Sequence, residues 1–368
     1  MDHSRTARCA TRGIRLSVTA ALLALLASLL AVMQPARAST YVVTNTNDSG
    51  PGSLRQAITD ANNNPGTDTI TFAAATNGTS IALAGAAGED ANASGDLDIL
   101  DGGDLIIQGN GVANTIIDGG GIDRVFHVCP AGGCDDSVTF SGVTIGNGSA
   151  AAGGGIYNTD DAVTVVGSTV STNTADYGGG IYNATGAVTL DGSIIRANTA
   201  DGGGGVHNVA GAVTLDGTTV SANTADDGGG IYNKGVTAAL TVQNGSTIGG
   251  AGAANTAGLF GGGIYNEYGT TTVDGSTVSA NTATSGGGIY NRATLNVQNG
   301  STIGGAGAPN TATVEGGGIF NATGGGATVT DSTVSANAAN FGGGIYNQAV
   351  LNVGNSIIGG TGAANTAA

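Results

Sequence analysis

The sequence predicts an all-β fold, a single-stranded parallel β-helix (solenoid) with a short capping helix near its N-terminus. The hexapeptide Gly-Gly-Gly-Ile-Tyr-Asn, or a variant with one or two changes, occurs eight times, and four of the seven intervals between copies are 25 residues. This period suits one turn of a β-helix. Within each repeat, aliphatic residues alternate with polar ones, as in strands that bury one face. The copies begin at Gly153, Gly178, Gly203, Gly228, Gly261, Gly286, Gly316 and Gly342.

Residues 1–38 have the pattern of a cleaved secretory signal peptide. Four arginines precede an apolar run from Leu16 to Val32, and Ala36-Arg37-Ala38 follows as a small-x-small cleavage site. A retained membrane anchor is the alternative, because a 17-residue run is at the short end of spanning length. We therefore expect an exported protein, extracellular or at the cell surface, with no membrane span after cleavage.

The predicted mature chain is strongly acidic. Removing residues 1–38 leaves five basic and 25 acidic residues, a net charge of 5 − 25 = −20. A chain of this charge repels phosphate groups. Anionic membrane surfaces are therefore expected to be poor partners, and no nucleic-acid partner is expected.

Residues 39–150 are predicted to form the N-terminal cap and the first, irregular turns. Ser53–Asn62 is expected to be an amphipathic helix that covers the open end of the solenoid, with Ser53 and Gln56 at capping-box spacing. Turn residues separate the strands that we expect around this helix. These strands are Tyr41–Thr44, Thr69–Phe72, Ser80–Leu83, Leu97–Leu100, Leu105–Gln108, Thr115–Ile117, Val125–Val128 and Val138–Ile145.

Cys129 and Cys134 are the only cysteines that remain after removal of residues 1–38. In an exported protein, such a closely spaced pair is expected to close a local disulfide. A metal or redox role is the weaker interpretation, because the spacing lacks the companion ligands of a zinc site and is longer than Cys-x-x-Cys.

Residues 151–368 are predicted to form regular turns that continue the same solenoid. In one turn we expect strands at Ala212–Leu215, Thr219–Ser221 and Gly229–Asn233, with Asn223–Asp227 as a corner. About 11 turns stacked at about 4.8 Å give a length on the order of 50 Å. Stacking aligns one aliphatic residue per turn inside the solenoid. This column is Ile156, Ile181, Val206, Ile231, Ile264, Ile289, Ile319 and Ile345.

Two asparagine columns are predicted to form hydrogen-bonded ladders along the axis. The glycine triplets are expected to let the backbone bend where a side chain would crowd the next turn. The first column is Asn158, Asn183, Asn208, Asn233, Asn266, Asn291, Asn321 and Asn347. The second column is Asn173, Asn198, Asn223, Asn255, Asn281, Asn310, Asn337 and Asn365.

Two stretches resemble known families. Thr44–Ile58, continued by Asp68–Phe72, resembles the N-terminal signature of bacterial exported β-helix proteins with a Cys-Ser-Leu-Arg-Glu-Ala-Ile motif, except that Gly52 replaces the Cys and Gln56 the Glu. The Gly-Gly-Gly-Ile repeats resemble those of polymorphic outer-membrane proteins, with Val where that family has Phe before x-x-Asn. These resemblances imply a right-handed solenoid that is secreted or surface-displayed, and an adhesive role.

Asp176, Asp201 and Asp226 recur in three successive 25-residue turns, with Asp227 beside the last. Stacking is expected to place these carboxylates about 5 Å apart. Ca²⁺ would relieve their repulsion, which makes them candidate metal ligands. The alternative is a solvated acidic corner. No cofactor is required by the sequence, and no residue is assigned as catalytic under the favoured interpretation.

A column of aromatic residues follows the aliphatic one, and strand alternation directs it outward. The rings either cover the side of the solenoid or bind sugar rings or a partner. The candidate binding residues are Tyr157, Tyr182, Tyr232, Tyr265, Tyr290 and Tyr346.

Three functions are compatible with this sequence. The favoured hypothesis is non-enzymatic adhesion, or binding of a polysaccharide or cell-surface protein. The alternative is a calcium-dependent polysaccharide (uronate) lyase in which Asp176, Asp201 and Asp226 hold the metal and Arg196 acts as base. The third is a structural spacer. The sequence leaves the ligand and the oligomeric state open.

Overall fold

The chain forms a parallel β-solenoid of about 12 turns, in agreement with the predicted fold class. The computed structural model describes residues 37–100, 102–134, 136–360 and 364–367. The prediction of a signal peptide therefore falls almost entirely outside the described residues. Within them, every turn adds one strand to each of up to four parallel sheets, which we call sheets A, B, C and D.

Sheets A and B form two long walls, with 12 and 11 strands in the described part of the chain. Sheet A comprises Thr40–Val43, Asp68–Phe72, Leu105–Gln108, Ser137–Ser141, Ala162–Val166, Ala187–Asp191, Ala212–Asp216, Ala239–Gln243, Thr270–Asp274, Thr294–Gln298, Gly326–Thr330 and Val350–Gly354. Sheet B comprises Thr79–Ala82, Thr115–Asp118, Thr144–Gly146, Thr169–Ser171, Ile194–Arg196, Thr219–Ser221, Thr247–Gly249, Thr277–Ser279, Thr302–Gly304, Thr333–Ser335 and Ile357–Ile358.

Sheets C and D complete the turn and meet at the glycine triplets. Sheet C comprises Leu97–Ile99, Phe126–Val128, Ile156–Asn158, Ile181–Asn183, Val206–Asn208, Ile231–Asn233, Ile264–Asn266, Ile289–Asn291, Ile319–Asn321 and Ile345–Asn347. Sheet D comprises Ser149–Ala152, Thr174–Tyr177, Thr224–Asp227, Thr256–Phe260, Thr282–Ser285, Thr311–Glu315, Ala338–Ala339 and Thr366–Ala367. Isolated bridges through Thr199 and Gly202 connect its first pair of strands to the other six.

Two predicted boundaries are wrong. The segment predicted as one strand, Val138–Ile145, contains a corner at Gly142, whose φ is 63°, and forms two strands in different sheets. The segment predicted as a corner, Asn223–Asp227, contains a strand of sheet D over Thr224–Asp227. Ala225 faces the core and is 4% exposed, so this short polar segment still alternates.

Helix α1 (Leu54–Asn62) covers the N-terminal end of the solenoid, close to the predicted Ser53–Asn62. Its buried face includes Leu54, Ala57 and Ile58, as the spacing predicts. The side chain of Ser53 accepts a hydrogen bond from the backbone N–H of Gln56 at 3.2 Å. The reciprocal half of the predicted capping box does not form, because the Gln56 side chain donates to Asp60 instead.

The aliphatic column lies in register inside the solenoid. From Ile156 to Ile319 its seven members are 0% exposed, while Ile345 in the last turn of sheet C is partly buried. Val213 and Leu215 from sheet A and Val220 from sheet B pack into the same core. The core is therefore one continuous stack of branched aliphatic side chains.

Both asparagine columns form the predicted ladders. At the corner between sheets C and A, each side-chain amide donates to the carboxamide oxygen of the next asparagine at 2.7–2.9 Å. At the corner between sheets B and D, the same bonds measure 2.9–3.2 Å. The ladders satisfy polar groups that the stacked turns hide from water.

A third ladder, of hydroxyl groups, lies at the corner between sheets A and B and was not predicted. The backbone N–H of Ser168 donates to the Ser193 hydroxyl at 3.1 Å, and the N–H of Ser193 donates to the Thr218 hydroxyl at 3.2 Å. Ser or Thr recurs at this position of the repeats, and this recurrence is the feature of the sequence that indicates the ladder.

Glycine takes the place of a ladder at the corner between sheets D and C. A Cβ atom on Gly228, whose φ is +62°, would lie 2.6 Å from the carbonyl oxygen of Ile231. A Cβ atom on Gly229 would lie 2.5 Å from the carbonyl oxygen of Thr256 in the next turn. The backbone of this corner is therefore too close to its neighbours for any side chain.

Replacing Asn223 by Ala is expected to lower the free energy of unfolding by about 3 kcal/mol, because it leaves several buried polar groups without partners. The N–H and side-chain amide of Asn198 would lose their acceptor, and the carbonyl of Ile195 would lose a donor. Urea unfolding measures this change. The matched control, Thr224→Ala on the exposed neighbouring residue, should change stability by less than about 0.5 kcal/mol. Equal effects of the two variants would contradict the role of the ladder.

Replacing Gly229 by Ala is expected to lower the free energy of unfolding by about 3 kcal/mol, because the added methyl group would overlap backbone atoms of the next turn. Gly217 is the control: its φ is +54°, but the nearest atom to an added Cβ is 3.9 Å away. Gly217→Ala should therefore cost only the backbone strain of about 1 kcal/mol. Thermal unfolding of both variants checks the order, and the reverse order would contradict it.

Candidate functional site

An aromatic column runs along the outer face of sheet C, one ring per turn. Parallel pairing places each ring beside the next, and consecutive ring centroids are 4.7–5.3 Å apart. The column includes all six predicted tyrosines together with a histidine and a phenylalanine. Its members are Tyr157, Tyr182, His207, Tyr232, Tyr265, Tyr290, Phe320 and Tyr346.

The exposure of the aromatic column varies along its length. Tyr157 and Tyr182 at one end are half-buried. In the middle, Tyr232 and Tyr265 are only 7% and 4% exposed, although they point away from the aliphatic core. Sheet D covers this part, and the Phe260 ring lies 5.8 Å from that of Tyr265. The outward direction that alternation predicts therefore does not produce a fully exposed row.

Long charged side chains also cover the middle of the column. The Lys234 ammonium lies 5.9 Å from the ring centre of Tyr232, whose hydroxyl donates a hydrogen bond to Glu267. Glu267 in turn lies 3.9 Å from the Arg292 guanidinium. Burial raises the pKa of Tyr265 to about 12, although Arg292 acts in the opposite direction. These tyrosines are neutral hydrogen-bonding groups at all ordinary pH values.

His207 is the histidine of the column and is 1% exposed. Its Nδ1 lies 3.1 Å from the carbonyl oxygen of Gly202, so the ring donates a hydrogen bond there. Burial lowers the pKa of His207 to about 4, and the charge of Lys234 adds to this effect. The ring is therefore neutral at pH 7, like the tyrosines above and below it.

The predicted acidic residues form a solvent-exposed strip, which we call the acidic strip: Asp176, Asp201 and Asp226. Backbone bonds hold their turns together, with the N–H of Asp201 2.9 Å from the carbonyl oxygen of Asp176. Asp227 differs, because it is half-buried and burial raises its pKa. Leu259, 49% exposed, continues sheet D in the next turn. The strip therefore spans three turns only.

The acidic strip does not gather into a compact metal site. Within the part of the chain that the structure describes, the groups of three or more acidic, histidine or cysteine side chains with ligand atoms within 4.8 Å of one another lie elsewhere. The expected Ca²⁺ at the strip remains a prediction. Asp90, Asp98 and His127 form one of those groups, and Cys129, Cys134 and Asp160 form the other.

Arg196, the base of the lyase hypothesis, lies exposed on sheet B rather than beside the acidic strip on sheet D. Among the described residues it makes no ion pair within 4.0 Å, either with Asp176 or with Asp201. The structure therefore shows no ion pair between Arg196 and the acidic strip, and the lyase hypothesis remains a prediction.

Cys129 and Cys134 are joined by a disulfide, with their Cα atoms 6.1 Å apart. Asp160 lies beside this loop and accepts a hydrogen bond from the N–H of Gly133. A disulfide has no thiolate to offer a metal. This group therefore stabilises a loop, and it is not a metal site.

Two titratable residues continue the line of the aromatic column toward the N-terminus, and neither was predicted to belong to a functional site. These residues are Asp98 and His127. In the register of sheet C, Asp98 lies beside His127 on the adjacent strand, and His127 lies beside Tyr157 on the next one. Burial raises the pKa of Asp98 to about 6 and lowers that of His127 to about 4. The sequence does not predict their alignment with the tyrosines, because the first turns are irregular and their register is known only from the structure.

Comparison of the chain with protein-family models, with curated proteins and with solved structures finds no match. The resemblance to exported β-helix proteins and to polymorphic outer-membrane proteins therefore stays a prediction. No helix in residues 37–100, 102–134, 136–360 and 364–367 is long and apolar enough to cross a membrane.

His207 predicts a specific acid sensitivity. Its pKa is about 4 in the folded chain and about 6.5 when unfolded, so between these values only the unfolded chain takes up the proton. Its contribution to stability is therefore complete above about pH 6.5 and is lost as the pH falls toward 4. When the pH falls from 7 to 4.5, the free energy of unfolding of wild type should decrease by about 2–3 kcal/mol more than that of His207→Phe. Urea unfolding at both pH values measures the difference, and identical pH dependence in the two proteins would contradict it.

Proposed function

We propose that this protein is an exported, non-enzymatic binding solenoid that holds a neutral polysaccharide along the outer faces of sheets C and D. The observation that carries the proposal is the aromatic column, which repeats once per turn beside the acidic strip. The accessible part of this surface lies around Tyr157, Tyr177 and Tyr182. Binding here would make the protein adhesive toward surfaces that display such a polymer.

The chemistry of this surface suits sugar rings. The half-buried rings of Tyr157 and Tyr182 are stacked 5.0 Å apart, and Tyr177 is 46% exposed beside them. Aromatic faces bind the apolar faces of sugars, while carboxylates such as Asp176 accept hydrogen bonds from sugar hydroxyl groups. Tyr157 and Tyr182 lie on neighbouring strands of sheet C, so the accessible rings would contact a short stretch of such a polymer.

The charge of the chain favours a neutral polymer over an acidic one. Residues 39–368 carry a net charge of −20, and three of the carboxylates form the acidic strip. A polyuronate would be repelled by this face.

Tyr177→Ala is expected to weaken binding of a neutral polysaccharide about tenfold, because an exposed ring next to the column would be lost. The matched control is Tyr268→Ala, which removes a tyrosine that is 53% exposed but lies outside the aromatic column. Affinity gel electrophoresis with dextran, mannan and a soluble cellulose derivative measures binding, with polygalacturonate as the acidic comparison.

Three results would contradict this function. The first is the absence of retardation by all three neutral polymers, and the second is equal weakening by Tyr177→Ala and Tyr268→Ala. The third is release of unsaturated uronate from polygalacturonate, which would identify the protein as a lyase.

A further inference from the structure

We propose that Asp90, Asp98 and His127 form a binding site for a divalent transition-metal ion such as Zn²⁺. The site lies at the N-terminal end of the aromatic column, apart from the acidic strip. It does not depend on the proposed polysaccharide binding.

The three side chains converge from two strands and one connecting segment. Asp98 and His127 are direct neighbours in adjacent strands of sheet C, and Asp90 comes from the segment 83–96 that leads into this sheet. One ligand atom from each lies within 4.8 Å of the others. Nδ1 of His127 is 3.2 Å from Oδ1 of Asp90 and 3.7 Å from Oδ1 of Asp98. These separations suit three ligands around one small ion.

An unsatisfied buried oxygen points into this group. Asp98 is 0% exposed, and its Oδ2 accepts a hydrogen bond from the N–H of Asn92 at 2.8 Å. Its Oδ1, the atom that faces His127, has no hydrogen-bond partner among the described residues. A buried carboxylate oxygen without a partner is costly, and a bound cation would remove that cost.

The lone pair of His127 Nδ1 accepts a hydrogen bond from Arg124 and is the pair that a metal would take over. Arg124 is always a donor, and its guanidinium nitrogen lies 2.9 Å from Nδ1 of His127, so Nδ1 carries no proton. Nε2 then carries the proton and faces the hydroxyl of Thr159 at 3.3 Å. In this tautomer, no imidazole proton lies between Nδ1 and the oxygens of Asp90 and Asp98, which are 3.2 and 3.7 Å away. A cation would turn this repulsion between lone pairs into attraction.

The segment that carries Asp90 is held in place without a metal. Asn92 adopts φ 56°, and its side chain donates to the carbonyl oxygen of Arg55 at 3.0 Å. Arg55 in helix α1 donates to the carbonyl oxygen of Gly95 at 2.9 Å. Glu89 accepts hydrogen bonds from three backbone N–H groups of the same segment. The ligands are therefore preorganised, which lowers the cost of binding.

The set of donor atoms selects the kind of metal. One imidazole nitrogen and two carboxylates suit Zn²⁺, whereas Ca²⁺ takes six to eight oxygen ligands. The Asp90 side chain is 66% exposed, so water can reach the ion and complete its coordination. Such a site has the three protein ligands and the open position that are typical of accessible zinc sites.

Without a metal, the Arg124 guanidinium lies beside Nδ1 of His127, where the ion would bind. The guanidinium also lies 3.5 Å from Oδ2 of Asp96. Oδ1 of Asp96 is buried and has no hydrogen-bond partner among the described residues. When the metal binds, Arg124 would move toward Asp96. Arg124 therefore competes with the metal for His127.

Isothermal titration calorimetry of the purified, EDTA-treated protein with ZnCl₂ tests the site. We expect one saturable Zn²⁺ per chain, and affinity at least tenfold weaker in both Asp98→Asn and His127→Phe. Phe preserves a ring beside Tyr157, and Asn preserves the shape of Asp98. The matched control is His207→Phe, which removes the other column histidine and should leave binding unchanged.

A second measurement keeps the test independent of folding. Zn²⁺ should raise the melting temperature of wild type and of His207→Phe but not that of Asp98→Asn, whose melting temperature without metal reports whether it folds. Arg124→Gln should bind Zn²⁺ more tightly than wild type, because the competing cation is gone.

The proposal is overturned by any of four results. These are no saturable Zn²⁺ binding, unchanged binding in folded Asp98→Asn and His127→Phe, loss of binding in His207→Phe, or weaker binding in Arg124→Gln. Saturation by Ca²⁺ at the same concentrations would overturn the choice of a transition metal.

Discussion

The stacking of identical corner residues is the constraint on which the rest of the structure depends. Each turn closes through tight corners that bury polar groups, and these groups find their partners in the same residue of the next turn. Fourteen amide-to-amide bonds, seven in each asparagine ladder, run along the axis. A slip by one residue in any turn would break the ladders on both sides, so the ladders fix the register.

The same register creates the outer faces. Once Asn233 and Asn266 are stacked, the residues beside them must stack as well, which places Tyr232 on Tyr265 at 4.7 Å. Longer repeats do not disturb this alignment. Asn223 and Asn255 are 32 residues apart in sequence rather than 25, and yet their amides are 3.0 Å apart. The additional residues of the longer repeats form loops between strands, so the aromatic column continues without a gap.

Sequence patterns predicted the features that repeat and failed where repetition stops. The asparagine ladders and the aliphatic core follow from strict periodicity and alternation. The strand Thr224–Asp227 was missed because three of its four residues are Ala or Asp, which have low strand propensity, and stacking overrides that propensity here. The burial of Tyr232 and Tyr265 was not predicted, because it depends on how closely sheet D packs over sheet C at the glycine corner. The grouping of Asp90 with Asp98 and His127 depends on the path of an irregular segment, which no period reveals.

Hydrogen exchange of asparagine side-chain amides, followed by NMR, tests the central role of the ladders most directly. The amides of the buried ladder residues, such as Asn198 and Asn208, both 0% exposed, should exchange far more slowly than that of Asn299, whose bond to Asp274 is solvent-exposed. Protection should also weaken toward the last turn, where Asn347 is exposed. Equally fast exchange of ladder and exposed amides would contradict the account, because it would show that the corners are satisfied by water and not by the neighbouring turns.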